Sequence, residues 1–207
     1  MAFSNYTELQ AEIIALTIRT GDEEFALQVP GFITQVEAAL NNGTETTGAL
    51  RTREMETSAS IAVTSGVGPL PSDYLEFIKV VGANGDVLEP TTTSWAQREY
   101  GTTSGTPNSF AIEGLNIRTY PLSTETISMQ YYKGVPALAS SATNWLLTKY
   151  PNVYLYGALM FAELAQENDQ RAATYSQVFQ QCVGGLARSD RLSKYARAKQ
   201  RLRGPTP

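Results

Sequence analysis

The chain has 207 residues, of which 42% are hydrophobic and 17% charged; it contains one cysteine and no histidine, and its net charge is −4. That composition suffices for a hydrophobic core. It excludes Ser-His-Asp and Cys-His nucleophile arrangements, histidine-bearing metal sites, and both an internal disulfide and a cysteine zinc cluster. The charge is unevenly spread: residues 1–187 hold 9 Lys and Arg against 19 Asp and Glu, −10, whereas 188–207 hold 7 against 1, +6. An acidic body with a basic tail is the strongest compositional signal.

In chain order, "YTELQAEIIALTIRTG" predicts a first helix capped by Thr7, with a stripe of Leu9, Ile13 and Leu16, Ile14 beside it, and a stop at Gly21. Asp22 opens a second, with Glu23 and Glu24 in the first turn, where the dipole favours them. Its stripe is Phe25, Val29, Phe32, Val36 and Leu40; Pro30-Gly31 is expected to kink or split it and Asn42-Gly43 to end it. The two helices should form an antiparallel hairpin. No basic n-region followed by an apolar run opens the chain and no run reaches a membrane span, so assembly in a cytosol is expected.

From 44 to 139 the texture changes to short runs punctuated by Gly, Thr, Ser and Pro: "ASIAVTSG", "YLEFIKVVG", "FAIEGLNIRTYP" and "TISMQYYKG". Phe110 and Ile112, then Leu115 and Ile117 about Gly114, and Ile127, Met129 and Tyr131 alternate as half-buried strands do. "TTTSWAQREYG" predicts one helical turn. "GVGPLP" reads as a stiff turn, because it lacks the lysine of a phosphate-binding loop.

Helix resumes at "TNWLLTKYPNVYLYGALMFAELAQEND", where Asn144 can cap and Pro151 suits the first position of a new helix. That helix is apolar nearly all round, which calls for burial on most sides, against another subunit or the β region once the first two helices have covered part. A last helix from Asp169 carries Tyr175, Val178, Phe179, Cys182 and Leu186, with Cys182 read as a small apolar residue. Glu163, Glu167 and Asp169 read as a solvated helix end.

The expected fold is mainly α with inserted β: an antiparallel bundle of about four helices (1–43 and 140–187), a small antiparallel β domain between helices 2 and 3 (44–139), and a basic C-terminal helix and tail (188–207). No constellation points to catalysis, a cofactor or a metal. The basic tail alone admits a nucleic-acid contact, a solvated helix end, or docking to an acidic protein surface.

Three blocks, "LPSDYLEFIKVV" (Leu70 to Val81), "PNSFAIEGLNIRTYP" (Pro107 to Pro121) and "ISMQYYKGVPALASSATNWLLTKYPNVYLYGAL" (Ile127 to Leu159), occur in an order and spacing that resembles the head-to-tail adaptor, or connector, proteins of tailed bacteriophages. The resemblance spans roughly Leu70 to Leu192. It implies a structural virion protein of the neck, assembled in the host cytoplasm: a ring, typically dodecameric, under the portal. The ring extends the channel through which genomic DNA passes without specific binding, and offers a platform to nozzle or tail-tube proteins and, in short-tailed phages, fibres. It implies that the C-terminal segment reaches the portal protein, which on this chain nominates Arg191, Lys194, Tyr195, Arg197, Lys199, Arg201 and Arg203. Trp145, Tyr154, Tyr156 and Met160 are the expected subunit-interface residues. The rival expectation is a DNA-binding module using the basic tail.

Overall fold

The computed structural model describes residues 3–44 and 47–195. It divides into two compact units, one built from Met1–Glu54 and Val135–Pro207, the other from Met55–Gly134. Six helices and two small sheets make up the described residues.

In the helical unit, α1 (Tyr6–Leu16) is capped by Asn5, not Thr7: the Asn5 side chain accepts from the Glu8 N–H at 2.9 Å, and Glu8 takes the Ser4 N–H in return at 2.7 Å. Helix α2 (Glu23–Asn42) is capped by Asp22 and ends at Gly43, whose φ is 81°. Pro30 neither splits nor ends it. The proline removes one hydrogen bond, to Ala26 on a half-exposed face, while buried Val29, Phe32, Ile33 and Val36 hold both halves against the core. Asn144 caps α4 (Trp145–Lys149), and Pro151 is the first residue of α5 (Pro151–Ala165). Helix α6 (Asp169–Tyr195) runs unbroken through Gly184 and Gly185.

Helix α5 lies at the centre, touching α1, α2, α4 and α6. Its broad apolar arc is therefore covered mainly by its own unit, chiefly by α6, whose 27 residues supply the cover that the first two helices lack. Contact is close at Gly157, where a β-carbon would lie 2.8 Å from Val36 Cγ2 and 3.0 Å from Phe179 Cε2.

The residues between α2 and α5 are held by a buried polar chain. The Leu138 N–H donates to Glu37 Oε1 at 2.8 Å, and the Tyr154 hydroxyl donates to the same oxygen at 3.2 Å. Asn144 Nδ2 donates to the Tyr154 hydroxyl and to the Pro136 carbonyl, both at 2.7 Å, while its Oδ1 caps α4 through the Leu147 N–H at 2.8 Å. The Val135 N–H donates to Asn41 Oδ1 at 2.9 Å, and Leu50 donates to the Leu40 carbonyl at 2.7 Å. These bonds draw 47–54 and 135–139 into the helical unit, so the β-rich unit is shorter than the 44–139 expected from composition.

The β-rich unit has an antiparallel sheet in the order β1 (Glu56–Val63), β7 (Glu125–Lys133), β3 (Tyr74–Val81). A second sheet runs β2 (Val67–Pro69), β6 (Asn116–Tyr120), β5 (Ser109–Glu113), β4 (Glu89–Pro90), with β4 parallel to β5. Ile61, Val63, Val80, Phe110, Ile117, Ile127, Met129 and Tyr131 from the two sheets form one core. Gly114 turns the β5–β6 hairpin at φ 59°. The "GVGPLP" segment contributes a short strand, β2, where a turn was expected, and "TTTSWAQREYG" forms the two-turn helix α3 (Thr93–Tyr100) in place of a single turn. Asp73 anchors the start of β3 to the end of β7: its carboxylate accepts from the Tyr131 hydroxyl at 2.8 Å and its carbonyl from the Gly134 N–H at 3.0 Å. Burial and that carboxylate push the Tyr131 pKa up to about 12.

Two outcomes follow for the helical unit. Gly157→Ala should destabilise it by about 1–3 kcal/mol through overpacking, read from urea unfolding midpoints; an unchanged midpoint would contradict the close contact. Glu37→Ala strands two buried donors at roughly 1–3 kcal/mol each, whereas Glu37→Gln keeps an acceptor and should cost less. Burial raises the Glu37 pKa above its ordinary 4.5 despite the opposing hydrogen bonds. A raised folded pKa favours the fold below the unfolded value and loses that contribution as pH climbs through the folded one. The wild type should therefore gain stability relative to Glu37→Gln as pH falls from neutral toward 4.5. A pH-independent difference would contradict the buried carboxyl.

Candidate assembly surfaces

The basic end begins on α6. Arg188, Arg191 and Lys194 are exposed there, and Leu192 beside them is 63% exposed. With Arg51 and Asp190 these cations line an open groove of about 400 Å3. The groove is fixed in place: Arg51 Nη1 donates to the carbonyls of Asn41 and Leu50 at 3.0 and 2.7 Å, and Arg53 pairs with Asp190 at 3.1 Å. Tyr195 is the last described residue of the helix; Arg197, Lys199, Arg201 and Arg203 lie outside the described residues.

The four expected interface residues fall in three places. Tyr156 and Met160, four residues apart on α5, look toward α6: Tyr156 packs on Tyr175 with ring centroids 6.2 Å apart, and Met160 lines an apolar groove of about 320 Å3 with Leu164, Ala172 and Ala173. Trp145 is half-buried in a separate cleft of about 110 Å3 beside Thr52, Lys149 and Leu186. Its indole N–H and the Thr52 hydroxyl are shielded from solvent and have no hydrogen-bond partner among the described residues. Tyr154 corrects the expectation. Its side chain is 0% exposed and bonded inside the unit, so it has no surface to offer a neighbour. Position in an over-apolar helix does not separate an interior tyrosine from an interface one; the buried partners Glu37 and Asn144 do.

Sequence periodicity missed other exposed apolar residues. Ile18 is 84% exposed and Leu27 81%, both off the stripes of α1 and α2. Ile18 sits at φ 58°, a conformation that a β-branched residue adopts only under strain. In the turn after α5, Glu167 is also left-handed, at φ 57°. Arg19 joins the two turns, donating to Gln166 Oε1 at 2.8 and 3.2 Å and pairing with Asp22.

The carboxylates expected as a solvated helix end are divided. Glu163 is buried, 3.0 Å from Arg171 Nη2 and accepting from Asn168 Nδ2 at 2.9 Å, while Asp169 is exposed. The Arg171 contact is an ion pair, and Arg171 Nη2 also donates to the Tyr175 hydroxyl at 3.2 Å. Among the described residues no cluster of His, Cys, Asp and Glu could hold a metal, and no helix is long and apolar enough to cross a membrane. Cys182 is half-buried, and burial pushes its thiol pKa up.

The three blocks that carry the resemblance have structural work to do at definite places: Asp73 at the β3–β7 junction, Gly114 in the hairpin, Asn144 as cap, Pro151 as first helical residue, Gly157 at a close helix contact. The comparison with curated proteins found no match. The family model described as SU10 adaptor protein matches residues 4–203, nearly the whole chain. With that coverage, the chain belongs to the SU10 adaptor family, structural head–tail adaptor proteins of phages.

Proposed function

We propose that this adaptor forms a ring beneath the portal in the neck of the virion, extends the channel through which genomic DNA passes, and presents a platform for tail nozzle or tail-tube proteins and fibres. Twelve copies is the ring size typical of connectors of this kind. The observation that supports the reading best is the charge division: an acidic body and a cationic α6 end whose Arg188, Arg191 and Lys194 face solvent. A net negative channel repels DNA and lets it slide, while an exposed cationic segment suits an acidic protein groove. Leu192, exposed among these cations, suits such a groove better than a phosphate backbone. Arg191, Lys194 and Tyr195, with Arg197, Lys199, Arg201 and Arg203 beyond the described residues, form the portal-docking segment in this reading. Tyr156, Met160 and Trp145 contribute to contacts between copies.

Two measurements test it. Deleting Arg188–Pro207 removes no residue described as buried, and it removes the Arg53–Asp190 ion pair. The shortened chain should keep a cooperative unfolding transition, its helical circular dichroism falling only by the α6 residues removed, and lose attachment to portal-bearing, DNA-filled heads. If it still decorates portals and loses only duplex-DNA affinity, the DNA-binding reading replaces this one. Met160→Glu, in the apolar α5–α6 groove, should lower ring assembly on portals by about tenfold, the equivalent of ~1.4 kcal/mol, with little change in unfolding midpoint. Wild-type ring yield from this variant would remove Met160 from the interface.

A further inference from the structure

The β-rich unit contains a groove that neither the family nor the ring reading assigns. It is an open cavity of about 420 Å3 lined by Val87, Glu89, Pro90, Trp95, Tyr100 and Asn108, among others. Trp95 is 43% exposed and Val87 55%. Thr92 caps α3 by accepting from the Trp95 N–H at 3.3 Å, which places the indole on the first turn. Tyr100, the last residue of α3, meets Trp95 edge to face at 6.1 Å and donates its hydroxyl to Asn108 Oδ1 at 3.0 Å. Ala96, fully buried with Ala111 and Tyr120, holds the helix to the sheet. The aromatic pair therefore stands on a fixed base.

The groove runs beside β4, the edge of its sheet. The Glu89 and Thr91 N–H groups are spent on the Asn108 and Phe110 carbonyls at 2.9 and 2.8 Å. The residue between them, whose backbone would face outward, is Pro90, and it has no N–H to give. An added β-strand would find no donor there, so an occupant must be held by side chains. The side chains on offer are two aromatic rings, the apolar Val87 and Pro90, the Glu89 carboxylate and the polar Thr91, Asn108 and Ser109. Among the described residues no Lys or Arg lines the cavity, Glu89 is its one carboxylate, and Arg98 is the one cation on α3. The indole N–H makes no hydrogen bond with the described residues, the Trp95 bond being that of its backbone, which leaves a donor for a ligand carbonyl.

Rings set on edge to one another, an indole donor and the Glu89 carboxylate, with no lining cation among the described residues to oppose it, match an extended proline-bearing segment with cationic flanks. Proline rings stack on aromatic faces, the polyproline backbone exposes carbonyls, and its preformed shape limits the ordering cost. A sugar would need several convergent polar partners, and of the polar side chains here Asn108 Oδ1 already accepts from Tyr100 and Ser109 Oγ already donates to the Tyr120 carbonyl. We propose that this groove docks a basic, proline-containing extended segment of another protein of the assembled particle. This rests on the chain being a structural adaptor, but not on ring formation or on the role of the basic tail.

The test uses the full chain and a synthetic peptide alternating Pro with Arg and Leu. Binding is followed by calorimetry on the unsubstituted protein and by Trp95 fluorescence in a Trp145→Phe background. Saturable binding is expected, with a blue shift of Trp95 emission, weakening about tenfold or more in Trp95→Ala and a few-fold in Glu89→Gln, and falling with salt. Substituting glycine for every proline in the peptide should abolish it. Absence of saturable binding to the unsubstituted protein overturns the proposal, as does equal affinity for the glycine peptide. Binding of a neutral maltooligosaccharide in place of the peptide would make the groove a carbohydrate site. Preference for a peptide copying residues 201–207 over the synthetic one would make the occupant a second copy of this chain. Portal attachment and ring yield of Trp95→Ala separate the outcomes: loss of peptide binding with normal rings bears on the groove alone, and loss of rings with intact binding bears on the ring reading alone.

Discussion

The buried carboxylate of Glu37 ties the helical unit together. It sits about one and a half turns from the end of α2, and its Oε1 collects the Leu138 N–H and the Tyr154 hydroxyl. The first bond fixes where the chain re-enters the helical unit; the second fixes α5. Asn144 then spends both donors and its acceptor on Tyr154, Pro136 and Leu147. Such a network is stabilising only when complete, since a missing member leaves polar atoms unpaired out of water. Helix α5 can be apolar on nearly every side because this one polar thread, together with the Gly157 contact, determines which side faces which neighbour.

Much of this was legible in the sequence, for physical reasons that differ by element. Asp22, Asn144, Pro151 and Gly43 announce helix ends because each satisfies a need specific to that position. The β7 alternation of Ile127, Met129 and Tyr131 reads directly as one buried face. The cap of α1 was misplaced by two residues because Asn5 and Thr7 are both competent, and the choice depends on Glu8 reaching back. Pro30 reads as a break because local propensity carries no information about the packing on both sides of it. Strand β2, three residues between glycines and prolines, has no period to read and exists through its pairing with β6.

The assembly surfaces were legible as charge but not as geometry. The cationic run starting at Arg188 is visible in the letters, and its described part is exposed on α6. Which aromatic residues face outward was not. Tyr154 and Tyr156 are two positions apart on one helix, yet one is interior and one half-buried, and only their partners distinguish them. Trp95 gave no signal, because an exposed aromatic on a short helix resembles a buried one until the sheet beneath it is known.

The two strands that bound the β-rich unit also have a mechanical meaning. Strand β1 opens at Glu56 directly opposite Tyr132 near the end of β7, so the chain enters and leaves this unit on neighbouring hydrogen-bonded strands. For the helical unit, Met55–Gly134 is then equivalent to a short tether whose ends are already clasped, and the entropy of closing that long excursion is met inside the β ladder itself. Such a module can be lengthened, shortened or exchanged at its far side without altering the distance its ends must span. Descendants of one helical scaffold can thereby acquire different peripheral fittings while the scaffold's own folding problem stays the same.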